Sequence, residues 1–103
     1  MDDKSKKLPR SVTEVVDRLI SELTLKDKTA IVDMEYDELV NLNASYGAYI
    51  RSAFGLWSGN EELMESCRFV SGEKNLNADG ASFVIIENLW KKLLQTHTLR
   101  VVK

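Results

Sequence analysis

Residues 48–63 read AYIRSAFGLWSGNEEL, and how that stretch turns decides the fold. It holds a tryptophan, two glycines, an arginine in a helical run and a Ser-Gly-Asn turn. A glycine just past a helix end adopts the left-handed conformation at no steric cost, so Gly55 is expected to close the helix that precedes it. In that motif the next residue is apolar and folds back on the last turn, which puts Leu56 near Ile50 or the stem of Arg51. Trp57 is then expected to continue into the core. Ser58 with Glu61 forms a Ser-x-x-Glu box for a new helix, and Asn60 is a competing cap; the spacing leaves both open. Phe-Gly-Leu-Trp-Ser-Gly-Asn therefore reads as stop, tuck and restart, a corner more than a site.

Upstream of the corner, a helix is expected from about Glu35 to Phe54, with Tyr36, Leu39, Leu42, Tyr46, Tyr49, Ile50, Ala53 and Phe54 on its apolar face. Its other face carries only small or short side chains at Asn41, Ala44, Ser45, Ala48 and Ser52. Either that strip is packed against a second surface or it is a lightly charged face in water. Further back, SVTEVVDRLISEL places Val12, Val15, Val16, Leu19, Ile20 and Leu23 at i, i+3, i+4, i+7 spacing, with Ser11 and Glu14 as a capping box. Thr24 caps a short second helix, LKDKTAIVD, from which Ile31 points inward.

Downstream, NEELMESC is a short helix, and RFVSGEKNLN (68–77) is expected to be a mobile loop. The last helix runs from Ala78 to about Gln95, capped by Asn77 and with Asp79 in the dipole-favoured first turn. Its apolar stripe, from Ser82 and Phe83 to Leu93 and Leu94, covers about half the circumference, and Val84 falls on the solvent side. The expected architecture is a single compact all-α domain of four to five helices over residues 11–95, with the first, third and last helices as its core. Residues 1–10 read as a flexible arm. Residues 96–103 read as a tail that is packed, helical or an edge for a partner.

The chain has 103 residues, 44% of them hydrophobic, enough for one core. Residues 11–90 hold 6 Lys/Arg against 14 Asp/Glu, a net charge of −8, while both ends are basic. Such a body repels a phosphate backbone, so no nucleic-acid partner is expected. A lone cysteine, Cys67, precludes an internal disulfide and points to a reducing compartment, the cytoplasm. MDDKSKKLPR lacks the apolar stretch of a secretory signal, and FVII is far too short to span a bilayer, so no membrane role is expected.

Chemistry-bearing patterns are sparse. Asp33-Met-Glu35-Tyr-Asp37-Glu38 begins like a calcium loop, but Glu38 and Ala44 stand where glycine and a bidentate glutamate are needed. His97 is the only histidine, and no nucleophile motif joins it to Cys67. One Cys and one His cannot make the usual zinc site, so no metal or cofactor is expected. Arg51 sits between the apolar stripe and the small-residue strip. It either clasps an internal acid such as Asp79 or Glu87, or offers its fork to an anion beside Trp57 and Asn60.

The segments LPRSVTEVVDRLISEL, YIRSAFGLWSGNEEL and DGASFVIIENLW cover most of residues 8–94. Together they resemble a family of small bacterial proteins classed as a domain of unknown function. The resemblance implies a bacterial source and a shared fold, and no activity. The family pattern has Leu-His where this chain has Leu42-Asn43, and asparagine at the place of Ala53. It has Pro-Asp-Asp-Ala-Ser where residues 78–82 read Ala-Asp-Gly-Ala-Ser, so any chemistry resting on that histidine or asparagine is absent here.

Three functions follow in order. The first is a non-enzymatic protein-interaction or regulatory module, self-associating or with a protein partner, using Asn41, Ala44, Ala48 and Ser52. The second is a small-molecule or anion-binding domain built on Arg51, Trp57 and Asn60. The third is an enzyme, for which only acids such as Glu61, Glu62 or Asp79 offer catalytic groups.

Overall fold

Five α-helices and one 3-10 turn follow one another in the computed structural model, which describes the backbone of residues 8–102 and the side chains of residues 8–96. Helix α1 is Val12–Glu22, α2 Leu25–Val32, α3 Leu39–Ala53, α4 Glu61–Ser71 and α5 Ala78–Val102; the 3-10 turn is Tyr36–Glu38. No strand occurs among the described residues. The chain is a single all-α domain.

Helices α1, α2, α4 and α5 each start where a side chain satisfies one of the first free amides. Ser11 Oγ accepts from Glu14 N at 3.2 Å, and Thr24 Oγ1 accepts from Asp27 N at 3.1 Å. Asn77 Oδ1 accepts from Gly80 N at 2.8 Å. The box at α1 is shifted by one residue: Glu14 accepts from the backbone of Arg10, not of Ser11. The 3-10 turn carries a reciprocal box of its own, with Glu38 Oε1 accepting from Glu35 N at 2.8 Å.

Helix α5 is the centre. It packs against α1, α2, α3 and α4, whereas among those four only α1 and α4 make a substantial contact. Its residues Ala81, Val84, Ile85, Ile86, Leu89 and Leu93 are buried together with Val15, Leu19, Leu39, Ile50, Leu63 and Cys67. Val84, expected in solvent, is buried: a helix with four neighbours has no single solvent face. Trp90 seals one edge by donating from Nε1 to Met34 O at 3.2 Å.

At the corner, Gly55 has φ 77° and Leu56 N donates to Arg51 O at 3.0 Å, the six-to-one bond of a Schellman closure. Leu56 tucks into the core as expected. Trp57 does not: it is 62% exposed. Two tight bonds onto Gly55 O, from Ser58 N at 3.1 Å and Asn60 N at 3.0 Å, reverse the chain directly after Leu56. Phe54 and Leu56 already occupy the core at this point, and the indole is turned outward.

Three further boundaries differ from expectation. Helix α4 continues to Ser71 and is closed by Gly72, so the irregular stretch shrinks to residues 72–77. Tyr36–Glu38, with Glu35 as its cap, forms the 3-10 turn ahead of α3. Helix α5 runs on to Val102, so the backbone of residues 96–102 extends the helix. Residues 1–7 of the expected arm, and the side chains of His97, Leu99, Val101 and Val102, lie outside the described residues.

Candidate functional site

The polar residues that converge in this domain do so between α3 and the first turn of α5. Asn43, Gly47 and Arg51 are spaced i, i+4, i+8, so they share one face of α3. Asp79 and Ser82 are three apart on α5. Arg51 Nη1 donates to Asp79 Oδ1 at 3.0 Å and to Ser82 Oγ at 2.8 Å. The Ser82 hydroxyl gives its one proton to Asn43 Oδ1 at 2.6 Å, with Asp79 O at 3.0 Å as the alternative acceptor. Asn43 Nδ2 turns back to Asp79, at 3.3 Å from its carbonyl and 3.4 Å from its carboxylate.

Asn43 and Ser82 are the buried polar residues of the described chain, and each finds its partners inside this cluster. A buried polar group without a partner costs heavily, so the network joins α3 to α5 only as a complete set. Trp57 closes it from above. The guanidinium carbon of Arg51 lies 5.1 Å from the indole centroid, and the Arg51 side chain is only 11% exposed. One indole face stacks on the cation and the rest meets water.

Asn60 is turned elsewhere. Its Nδ2 donates to Pro9 O at 3.0 Å and to Phe54 O at 2.9 Å, and its Oδ1 accepts from Leu63 N at 3.3 Å as the cap of α4. The structure therefore brings Arg51 and Trp57 together and commits Asn60 to the corner. Arg51 clasps an internal acid, Asp79, as one reading of its position on α3 expected.

The acids considered for catalysis are dispersed. Glu61 lies 3.9 Å from Arg68, Glu62 lies 3.2 Å from Arg10, and Asp79 holds Arg51. Among the described residues no three His, Cys, Asp or Glu side chains are grouped to hold a metal ion, and no helix is long and apolar enough to cross a membrane. Cys67 Sγ donates to Ala81 O at 3.6 Å, and burial pushes its thiol up to about 12 against the weaker opposing pull of Arg68.

The outer face of α3 stands in water in the single chain. Asn41, Ala44, Ser45 and Ser52 are exposed and Ala48 partly so. Residues 39–50 contain no charged side chain, and Val40 is 61% exposed at the near end of that face. The cluster and this face both fall within residues 8–93, the span matched by the model of the domain of unknown function DUF6794. The chain belongs to the DUF6794 family. No curated protein and no solved structure matches it.

Sequence reasoning had not marked Asn43, Gly47 or Ser82 of this DUF6794 domain as a unit. Their spacing was visible, a polar residue, a glycine and an arginine at fourfold intervals along α3, but their burial was not.

Proposed function

We propose that this domain is a non-enzymatic protein-interaction module whose contact surface is the outer face of α3, from Val40 and Asn41 through Ala44 and Ala48 to Ser52 and Trp57. One observation carries the reading. In a chain with 29% charged residues, the exposed face of a 15-residue helix has no charge until Arg51, and it ends beside an indole that is largely in water. Interface centres are depleted of charged groups and enriched in aromatic anchors, and small side chains let a second backbone approach closely. The resemblance to small bacterial proteins and the buried free thiol support a setting in the bacterial cytoplasm.

Sedimentation of the pure protein, and capture of partners on it, compared between the wild type and the variant Ala44→Glu/Ala48→Glu, test this. A dimer or a bound protein that the variant loses supports the reading. A monomer that binds the same proteins as its variant refutes it.

The open face of Trp57 favours one second reading, an anion held by Arg51 with Trp57 as its wall and Asn60 nearby. It requires Arg51 to release Asp79. Titrating acetate or phosphate while following Trp57 fluorescence, with Arg51→Met as control, tests it; an unchanged emission rejects it.

A further inference from the structure

A second surface shares no residue with the outer face of α3. It is a groove of about 450 Å³ along α5, running from Gly80 past Phe83 and Glu87 to Lys91. Tyr36 of the 3-10 turn stands on one side, and Val70 with Glu73 on the other. At 1.5 Å per residue the floor is roughly 16 Å long, three turns of helix.

Apolar side chains line the groove among the polar ones of Ser71, Glu73, Glu87, Asn88 and Lys91. Tyr36 and Val70 are each about half exposed. Phe69, the residue before Val70, is 88% exposed, the most of any large apolar side chain described. The Tyr36 ring is set edge-on against Phe83 at 6.2 Å and tilted against Trp90 at 5.8 Å, so this wall is braced from beneath.

The unpaired charge among the residues lining the groove is acidic. Lys91 is taken by Glu87 at 3.5 Å, while Glu73 has no ion pair among the described residues. Tyr36 lies within Glu35-Tyr36-Asp37-Glu38, whose other members are all acids. The whole body from residue 11 to 90 carries −8. An acidic partner would be repelled on approach and at contact.

The geometry points to this groove as the docking site for a basic amphipathic helix of another protein. The apolar side chains of that helix, at i, i+3 and i+7, lie between Tyr36 and Val70 over Phe83. Its lysines or arginines face Glu73 and the acidic turn around Tyr36. This is helix-in-groove recognition with the sign of the partner set by the rim.

The probe is a synthetic amphipathic peptide of about fourteen leucines and lysines, alongside the same peptide with glutamate for lysine, read by fluorescence anisotropy against the full chain. Saturable binding of the lysine peptide is expected, weakening about tenfold or more in Val70→Asp and in Glu73→Lys and falling with added salt. Ala44→Glu/Ala48→Glu should leave it unchanged, which separates this groove from the α3 surface. Circular dichroism confirms that each variant is folded. Equal binding of the glutamate peptide, or affinity indifferent to Val70→Asp and Glu73→Lys, overturns the assignment. So does a concentration-dependent dimer that Val70→Asp dissolves, since the occupant is then a second copy.

Discussion

Gly47 lacks a side chain because the amide of Asn43, one turn earlier, occupies the place where a Cβ would stand. Arg51 Nη1 closes the same space from the other side, 3.1 Å from that position. Alanine normally stabilises a helix interior by about 1 kcal/mol relative to glycine. Here Gly47→Ala is expected to destabilise by roughly 1–3 kcal/mol, because Asn43 must leave its hydrogen bonds. Adding Asn43→Ala to Gly47→Ala should recover part of that loss, and denaturant melts of the single and double variants measure the coupling.

Arg51 and Asp79 contribute unequally. Asp79 is 72% exposed and can turn to water, whereas Arg51 also serves the buried Ser82. Arg51→Met is expected to cost about 2 kcal/mol, and Asp79→Asn less than about 1 kcal/mol. Equal losses in urea unfolding would show that the ion pair alone, not the buried network, holds α3 to α5.

The two tryptophans should separate in emission. Trp57 is open to solvent and Trp90 is partly buried with its Nε1 bonded to Met34 O. Iodide should quench the wild type in two populations. In Trp57→Phe only the protected, blue-shifted one should remain.

Alkali should destabilise the fold. Burial pushes Cys67 up to about 12 from 9.0, and burial followed by the charges of Tyr49, Glu22 and Asp27 pushes Tyr46 up to about 12 from 10.0. Both groups hold their proton longer when folded than when unfolded, so their contribution is complete below pH 9 and lost as pH rises toward about 12. Thermal melts from pH 8 to 11 should show the decline, and Cys67→Ala should flatten its lower part.

Asn60→Ala removes a helix cap and strips the donor from two carbonyls in separate segments, Pro9 and Phe54. A loss of about 2 kcal/mol is expected, more than an ordinary cap. Asn60→Asp keeps the acceptor for Leu63 N and should restore only the capping share.

The helices were legible because each couples a period to a punctuating residue: Ser11, Thr24, Gly55 and Asn77 stand where the periodicity begins or ends. Trp57 was misplaced because periodicity carries no information through a turn, and the chain reversal onto Gly55 O sets the direction of the indole. Val84 was misplaced because a helical wheel presumes one solvent side. Of the candidate site, the pairing of Arg51 with an acid was visible from phase and sign. Choosing Asp79 over Glu87 required the register between α3 and α5. The burial of Asn43 and Ser82 depends on that same register, which no local pattern encodes.

Because α5 is the common neighbour of four helices, of which only α1 and α4 make a substantial contact with each other, the order of synthesis matters. Residues 8–77 emerge from a ribosome as four helices with little beyond the α1–α4 contact on which to bury their apolar sides. A core forms only once α5 has cleared the exit tunnel. Until then the nascent chain is a client for chaperones, and a nonsense mutation anywhere before α5 should yield material for proteolysis, not a shortened domain.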